Sequence, residues 1–348
     1  MPACFARFLT ICVAALLTLP AQPASAQAPG ADAPWRQLFQ RPDTTPAPTD
    51  NQPTPEKIAL GAALFADPRL SGTGKHSCAS CHLPERSFTD GRRQARSLTG
   101  EPLRRNTPAL WNLAWAKQFF WDGRAPSLEV QVRGPIEAAD EMGGRWPDIL
   151  QRLNGDADLL AKFHSAFPDG QGVTEDAVVK ALASYVRSLV SPPTRFDAWI
   201  GGEANALTLA EQRGFRLFTG KAGCMLCHVG WRFTDDRFHD IGLRSHDPGR
   251  SAVPGGTPGR KAFKTPSLRE LAYTAPYMHD GSLPTLLAVV AHYSGGFVRR
   301  ATLAPNMSRQ LRLTAQQKAD LVAFLRTLSS EKAALPPPLP VPTGRGPG

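Results

Sequence analysis

Two five-residue motifs constrain this chain more strongly than any other feature of its sequence. The first runs from Cys78 to His82 and the second from Cys224 to His228, and each has two cysteines separated by two residues and followed at once by a histidine. This spacing is typical of covalently attached c-type haem, in which each cysteine adds to a vinyl group and the histidine ligates the iron. We therefore predict two haems, one held by Cys78, Cys81 and His82 and the other by Cys224, Cys227 and His228.

Two other interpretations of the motif explain less of it. A zinc site would need two such units to converge on one metal ion, and it gives no reason for a histidine directly after each cysteine pair. A thioredoxin-like redox pair needs no histidine at that position either. The histidine in both copies therefore favours haem.

Residues 1–26 have the features of a secretory signal peptide. Arg7 supplies a positive charge, an apolar run extends from Phe8 to Leu19, and small residues end at Ala26 before a predicted cleavage site. The apolar run is too short to span a bilayer, so we expect a soluble periplasmic protein without a membrane span. The cysteines that remain after cleavage are all needed for haem, so no structural disulfide is expected even in an oxidising compartment.

The charge of the chain is positive but interspersed. The sequence has 40 basic and 30 acidic side chains, a net charge of +10. No pattern of basic residues interleaved with aromatic ones indicates nucleic-acid binding. The haem propionates would offset part of the positive charge. The arginines of one loop either face these propionates or form a solvated basic surface: Arg92, Arg93, Arg96, Arg104 and Arg105.

Helix signals repeat in the two halves of the chain. Thr54 is a predicted N-cap followed by proline, Thr208 and Glu211 form a predicted capping box, and each signal starts a helix that precedes a haem motif. Closing helices are predicted from Thr174 to Leu189 and from Thr314 to Leu328. The sequence has little of the period-2 alternation that would indicate extensive sheet. We therefore predict a mainly α protein with two tandem cytochrome c-like domains and long loops, each domain binding one covalently attached haem.

The same signals set the expected domain boundaries. Residues 27–53, rich in proline, alanine and threonine, predict an extended arm after the signal peptide. The two haem domains are predicted at 54–205 and 206–330. A proline-rich segment, 331–348, is expected to be a disordered tail.

Several further segments resemble one known family. The stretches that carry the resemblance are similar to the bacterial di-haem cytochrome c peroxidases, including their MauG branch of protein-modifying enzymes. They are Arg105–Asn112, Phe120–Arg124, Gln131, Glu141–Met142, Lys264–Leu268 and Thr274–Gly281. The similarity extends from about Leu60 to Leu328, with the motifs in family order.

The resemblance implies roles for individual residues. The first haem would be the peroxidatic one, with Glu141 as acid–base catalyst on its distal side and Gln131 nearby. Trp121 would lie between the haems and relay oxidising equivalents. Hard oxygen ligands for a calcium ion between the domains would come from Asn106, Thr274 and Pro276.

Two departures from the family pattern concern the iron ligands. Many family peroxidases cap the first iron with a histidine from the following loop, but the corresponding residue here is about Leu98, so the first haem is expected to be open without prior reduction. The usual methionine ligand of the second haem corresponds to Tyr293 here, and a phenolate favours ferric and higher oxidation states. His292 and Met307 remain alternative ligands.

The expected function is reduction of hydrogen peroxide at the first haem. Electrons would come through the second haem from a small redox protein such as cytochrome c or a blue-copper protein. The alternative is a MauG-like enzyme that oxidises side chains of a specific protein substrate. A third alternative is a non-catalytic electron carrier in which Met142 or His164 caps the first iron. The oligomeric state stays open between monomer and homodimer.

Overall fold

The computed structural model describes Met1 and residues 33–170, 172–256, 260–307 and 311–336. Apart from Met1, the predicted signal peptide lies outside the described residues, as does 337–348 of the predicted tail, so both remain predictions. Within the described ranges, no helix has the length and apolar character needed to cross a membrane.

Helices dominate the part of the chain that the structure describes, which confirms the mainly α class. The α-helices are α1 (Ala33–Phe39), α2 (Pro55–Phe65), α3 (Leu128–Glu137), α4 (Trp146–Asn154), α5 (Ala157–Ala166), α6 (Glu175–Ser188), α7 (Arg195–Gly201), α8 (Leu209–Thr219), α9 (Leu286–Ala291) and α10 (Ala315–Arg326). The strands β1 (Phe238–His239) and β2 (Phe263–Lys264) form a small antiparallel pair. Long loops and short 3₁₀ turns connect these elements.

The first half of the chain is organised by the packing of α2 on α6. Thr54 caps α2 by accepting a hydrogen bond from the backbone N–H of Lys57, and Thr174 caps α6 in the same way through Ala177. Both helices bury apolar side chains in one core, which also takes in residues of α3, α4 and α5. The first haem motif lies in the loop that follows α2.

The second half repeats this arrangement with α8 and α10. Thr208 with Glu211 and Thr314 with Gln317 form complete capping boxes, so both predicted helix starts are confirmed. The core between these helices is rich in phenylalanine, with fully buried rings at Phe39, Phe196, Phe215, Phe218, Phe233 and Phe324. The second haem motif follows α8 directly.

A glycine permits the helix crossing in each half. A Cβ atom on Gly61 of α2 would lie 2.1 Å from the carbonyl oxygen of Ala181 in α6. A Cβ atom on Gly214 of α8 would lie 2.1 Å from the carbonyl oxygen of Asp320 in α10. The two halves therefore use the same close backbone contact in front of their haem motifs.

The expected extended arm is wrong for residues 33–39, which form α1. The reason is an aromatic pair one helical turn apart: Trp35 packs edge-on against Phe215 at 5.7 Å, and Phe39 stacks on Phe233 at 4.9 Å. Both partners belong to the core of the second half. Beyond the helix, Arg41 donates a hydrogen bond to the carbonyl oxygen of Pro192 (3.1 Å). The N-terminal segment is thus part of the second core.

The glycine crossing generates a stability prediction. Gly214→Ala should lower the free energy of unfolding by about 1–3 kcal/mol, because the added methyl forces α8 and α10 apart. Gly201→Ala is the matched control, since a Cβ atom there meets nothing within 4 Å at the end of α7. Denaturant titration of both variants is the measurement, and equal stability of the two would contradict the role of the crossing.

Candidate functional site

Both haem motifs adopt the same local conformation. Cys78–Ser80 and Cys224–Leu226 each form one 3₁₀ turn. In both, the backbone N–H of the motif histidine donates to the carbonyl of the first cysteine at 2.9 Å. None of the four motif cysteines is in a disulfide. Each turn therefore presents two thiols and an imidazole from one short segment, as covalent attachment of one macrocycle requires.

A second hydrogen bond sets the tautomer of each motif histidine. Nδ1 of His82 donates to the carbonyl of Phe88, and Nδ1 of His228 donates to the carbonyl of Phe233, both at 2.9 Å. A carbonyl can only accept, so Nδ1 carries the hydrogen and Nε2 keeps its lone pair for a metal. Burial lowers the pKa of both imidazoles against the smaller raising effect of these carbonyls, which favours the neutral, ligating form.

The two motifs border one continuous cavity of about 1500 Å³. This exceeds the roughly 300–1,000 Å³ of an ordinary small-molecule pocket. Its wall includes both motif histidines and many apolar side chains from both halves. The residues present therefore fit two macrocycles. A haem bound there supplies an iron for redox chemistry.

A carboxyl group borders the cavity near the first motif. Gln131 of α3 and Glu141, in the loop after α3, both border the cavity, as does Arg124. Burial is the main cause that raises the pKa of the Glu141 carboxyl, the neighbouring Asp140 raises it further, and Arg124 opposes them. A partly buried carboxyl with a raised pKa has the chemistry to hold and release a proton.

Neither residue proposed as a cap of the first iron reaches the cavity wall. Met142 is buried in the first core, 5 % exposed, and packs away from the cavity. His164 lies exposed in the last turn of α5. Leu98 stands close to Gly143, where an added Cβ would approach its side chain to 3.1 Å.

Trp121 borders the cavity and is bound at two points. Its indole Nε1 donates to the carbonyl of Asn106 at 3.0 Å, and its own carbonyl accepts from the backbone N–H of Lys264 at 2.8 Å. Lys264 belongs to β2 in the second half. The tryptophan is therefore held by segments from both halves of the chain.

The residues predicted for calcium also border this cavity: Asn106, Thr274 and Pro276. The amide Nδ2 of Asn106 donates to the carbonyl of Arg92 at 2.8 Å, which orients the amide group. The backbone N–H of Asn106 donates to the carbonyl of His279, also at 2.8 Å. An amide oxygen and two backbone carbonyls are hard, neutral donors, and such a donor set fits a hard cation.

Tyr293 borders the cavity beside the second motif. It lies in a π-helical turn, His292–Gly296, directly after α9. Burial raises the pKa of its phenol, and the nearby Cys224 and Cys227 contribute in the same direction. Nε2 of His292 instead donates to the carbonyl of Ile241 at 2.9 Å, and its ring is not part of the cavity wall.

Met307 is the other candidate ligand that borders the cavity. It is 8 % exposed and packs in a small apolar cluster with Phe297 and Ala304. Of the three candidate ligands, Tyr293 and Met307 therefore border the cavity and His292 does not.

The arginines of the first-half loop divide into three environments. Arg105 is bound by carboxylates: Nε and Nη2 donate to Asp247 at 2.8 and 3.0 Å, and Nη1 donates to Asp122 at 2.7 Å. Arg105 also borders the cavity. Arg96 and Arg104 are exposed and border it too, whereas Arg92 and Arg93 are exposed and not part of its wall. Sequence reasoning missed the Arg105 bridge because its partners are far apart in the chain.

One group of side chains has the composition of a metal site without serving as one. The ligand atoms of Cys227, Asp235 and His239 all lie within 4.8 Å of one another, and Nε2 of His239 is 2.7 Å from the Asp235 carboxylate. The Cys227 sulfur becomes a thioether when haem is attached. Since a thioether lacks the negative charge of a thiolate, the remaining pair is an ordinary hydrogen-bonded dyad.

Comparisons with known proteins agree with this geometry. Residues 55–205 match the family model for di-haem cytochrome c peroxidase, and residues 211–329 match the model for cytochrome c. The methylamine utilization protein MauG of Methylorubrum extorquens is 48% identical over 300 residues, which cover 85% of each chain. The MauG of Methylophilus methylotrophus is 42% identical over 316 residues, covering 89% of this chain and 93% of that one.

Peroxidases and solved structures match as well. The cytochrome-c peroxidase IdrP1 of Denitromonas iodatirespirans is 35% identical over 359 residues and 92% of each chain. The crystal structure of a MauG-like protein associated with microbial copper homeostasis has a TM-score of 0.79 at 35% identity, covering 87% of this chain and 98% of that one. The di-haem peroxidase BthA of Burkholderia thailandensis has a TM-score of 0.71 at 26% identity, with 82% and 89% covered.

Proposed function

Since this chain belongs to the di-haem cytochrome c peroxidase family, which includes the MauG proteins, we propose that it is an enzyme of the MauG kind. It is a haem c oxidoreductase with two tandem cytochrome c-related domains. In the proposed reaction, hydrogen peroxide is reduced at the first haem, and the two oxidising equivalents are used on side chains of a specific protein substrate.

The position of Tyr293 carries this proposal. The resemblance assigns a methionine ligand to the second haem of family peroxidases, and here a phenol borders the cavity beside Cys224 and Cys227. An anionic oxygen ligand stabilises ferric and more oxidised iron. The second haem would therefore share the oxidising equivalents with the first haem rather than accept electrons readily from a donor protein. The identity with two MauG proteins supports the same choice.

Glu141 is the proposed acid–base catalyst. Cleavage of the peroxide bond requires a proton to move from the inner to the outer oxygen, and a carboxyl with a raised pKa can carry it. Gln131 would orient the peroxide from α3 through its amide. The absence of Met142 and His164 from the described cavity wall supports a first haem that binds peroxide without prior reduction.

Trp121 is the proposed relay between the haems. Its ring borders the cavity that both motifs share, and its indole N–H is fixed on the Asn106 carbonyl. A calcium ion held by Asn106, Thr274 and Pro276 would stiffen the same segment.

We also propose domain boundaries at 54–205 and 206–330 and a periplasmic location reached through the 1–26 signal peptide.

The second candidate function is that of a cytochrome-c peroxidase. One relative with that name matches 92% of the chain, and an open first haem and Glu141 would serve such an enzyme equally well. The electron donor would then be a cytochrome c or a blue-copper protein.

Peroxide turnover with reduced cytochrome c separates the two candidate functions. The purified oxidised protein should consume this donor slowly after peroxide is added, because a tyrosine-ligated second haem accepts electrons poorly. Its spectrum should remain changed for minutes when no donor is present. Rapid oxidation of cytochrome c without pre-reduction would instead establish the peroxidase.

The role of Glu141 predicts a specific pH dependence. In the wild type the carboxyl must start unprotonated, so the rate of peroxide reaction should fall as pH drops through its pKa, which lies above the ordinary value of about 4.3. Glu141→Gln should remove this acid limb and slow the reaction by about 10²–10⁴-fold, with an unchanged resting spectrum. Stopped-flow absorbance measures both. Glu137→Gln, whose carboxylate accepts from Trp146 Nε1, is the control and should react like the wild type.

The ligand assignment predicts a change in reduction potential. Tyr293→His should raise the potential of the second haem by on the order of 0.1 V, a fraction of the roughly 0.8 V that axial ligands span. Spectroelectrochemical titration is the measurement. Tyr277→Phe is the control, because this cavity tyrosine donates its hydroxyl to the Leu271 carbonyl at 2.9 Å and is not a candidate ligand. An unshifted potential in Tyr293→His would point to Met307 instead.

A further inference from the structure

Arg105 joins the two halves of the chain through two buried carboxylates. Nε and Nη2 of Arg105 bind both carboxylate oxygens of Asp247, whose side chain is 4 % exposed. Nη1 binds the carboxylate of Asp122, whose side chain is 8 % exposed. Asp122 lies in the first half, before α3, and Asp247 lies in the second half, between β1 and β2. A planar guanidinium can span two carboxylates in this way, whereas an ammonium cannot.

Two members of this bridge, Asp122 and Arg105, lie next to Trp121 and to the residue that holds its ring. Asp122 is the next residue in the chain, so its carboxylate fixes the backbone at the tryptophan. Arg105 immediately precedes Asn106, whose carbonyl accepts the indole N–H. The guanidinium of Arg105 is therefore bonded to the residue after the tryptophan, and Arg105 itself adjoins the residue that accepts the indole hydrogen bond.

The second half contributes further contacts at the same place. The guanidinium of Arg105 lies 5.5 Å from the ring centroid of Phe263, which stacks on the imidazole of His279 at 3.6 Å. Lys264, next to Phe263, donates its N–H to the Trp121 carbonyl. Arg250 adds hydrogen bonds to the carbonyls of Asp122 (3.0 Å) and Gly123 (2.8 Å).

We propose that Arg105, through Asp122 and Asp247, is the positioning residue that holds the Trp121 ring in the geometry needed for electron passage between the haems. The inference rests on the proposed relay through Trp121 and adds what controls it: an ion bridge across the two halves. We expect the bridge to affect the relay rather than either iron. Asp247 lies outside both haem motifs and is not a candidate iron ligand.

The first test is Asp247→Asn in the holoprotein, which removes one charge of the bridge with almost no change in volume. After peroxide is mixed in, the absorbance response of the second haem should slow by on the order of 10- to 100-fold, as expected for small misplacement of a reacting group. The resting spectra of both haems should stay unchanged. Asp247→Glu restores the charge and should recover most of the rate.

A second readout needs no peroxide. Hydrogen exchange measured by mass spectrometry should accelerate in the peptide that contains Lys264, because its N–H is bonded to the Trp121 carbonyl. The matched control is Asp320→Asn. Its carboxylate binds Arg213 through the same Nε and Nη2 fork, at 2.9 Å for both, in the α8–α10 packing of the second half. This control removes an ion pair of the same geometry that has no contact with Trp121, and it should leave both readouts unchanged.

Trp121→Phe separates failure of the inference from failure of the relay. Slow electron passage between the haems in Trp121→Phe, with a normal rate in Asp247→Asn, would overturn the positioning role and leave the relay intact. Normal passage in Trp121→Phe would overturn the relay itself and the inference with it. Equal slowing in Asp247→Asn and Asp320→Asn would show a general structural effect and also overturn the inference.

Discussion

The hydrogen bond between each motif imidazole and a phenylalanine carbonyl is the interaction on which the rest of the site depends. It fixes the ring plane and leaves Nε2 to face the cavity. Phe88 and Phe233, which supply these carbonyls, both take up left-handed backbone conformations, with φ of 58° and 56°. Both rings are fully buried, so the apolar core supports an unfavourable conformation, and in this way packing sets the direction of the iron ligand.

The two halves share a scaffold but have different chemistry at the cavity. Each has a helix, a haem motif and a closing helix that crosses at a glycine. Near the first motif stands a carboxyl with a raised pKa, Glu141, and near the second a buried phenol, Tyr293. Duplication of the scaffold explains why the two motifs fold alike, and the loops between the helices explain how they could acquire different roles.

Local signals made much of this predictable. The caps at Thr54, Thr208 and Thr314 were readable because a threonine side chain and the backbone N–H that donates to it lie within one turn. The packing of α1 on the second core was not, since its partners lie far along the chain. The Arg105 bridge was hidden for the same reason: its aspartates are 17 and 142 residues away. Sequence patterns give neighbours within a few residues, whereas the relative placement of loops depends on the folded whole.

The packing of α1 has a consequence for how the molecule is assembled. The ribosome makes this helix early, yet the surface that covers Phe39 includes Phe215 and Phe233, which emerge far later. The aromatic side chains of this helix can therefore be covered only after these later residues have been synthesised. A helix that precedes the first haem motif thus completes the core that lies beside the second motif, so the order of the segments along the chain differs from the order in which they pack.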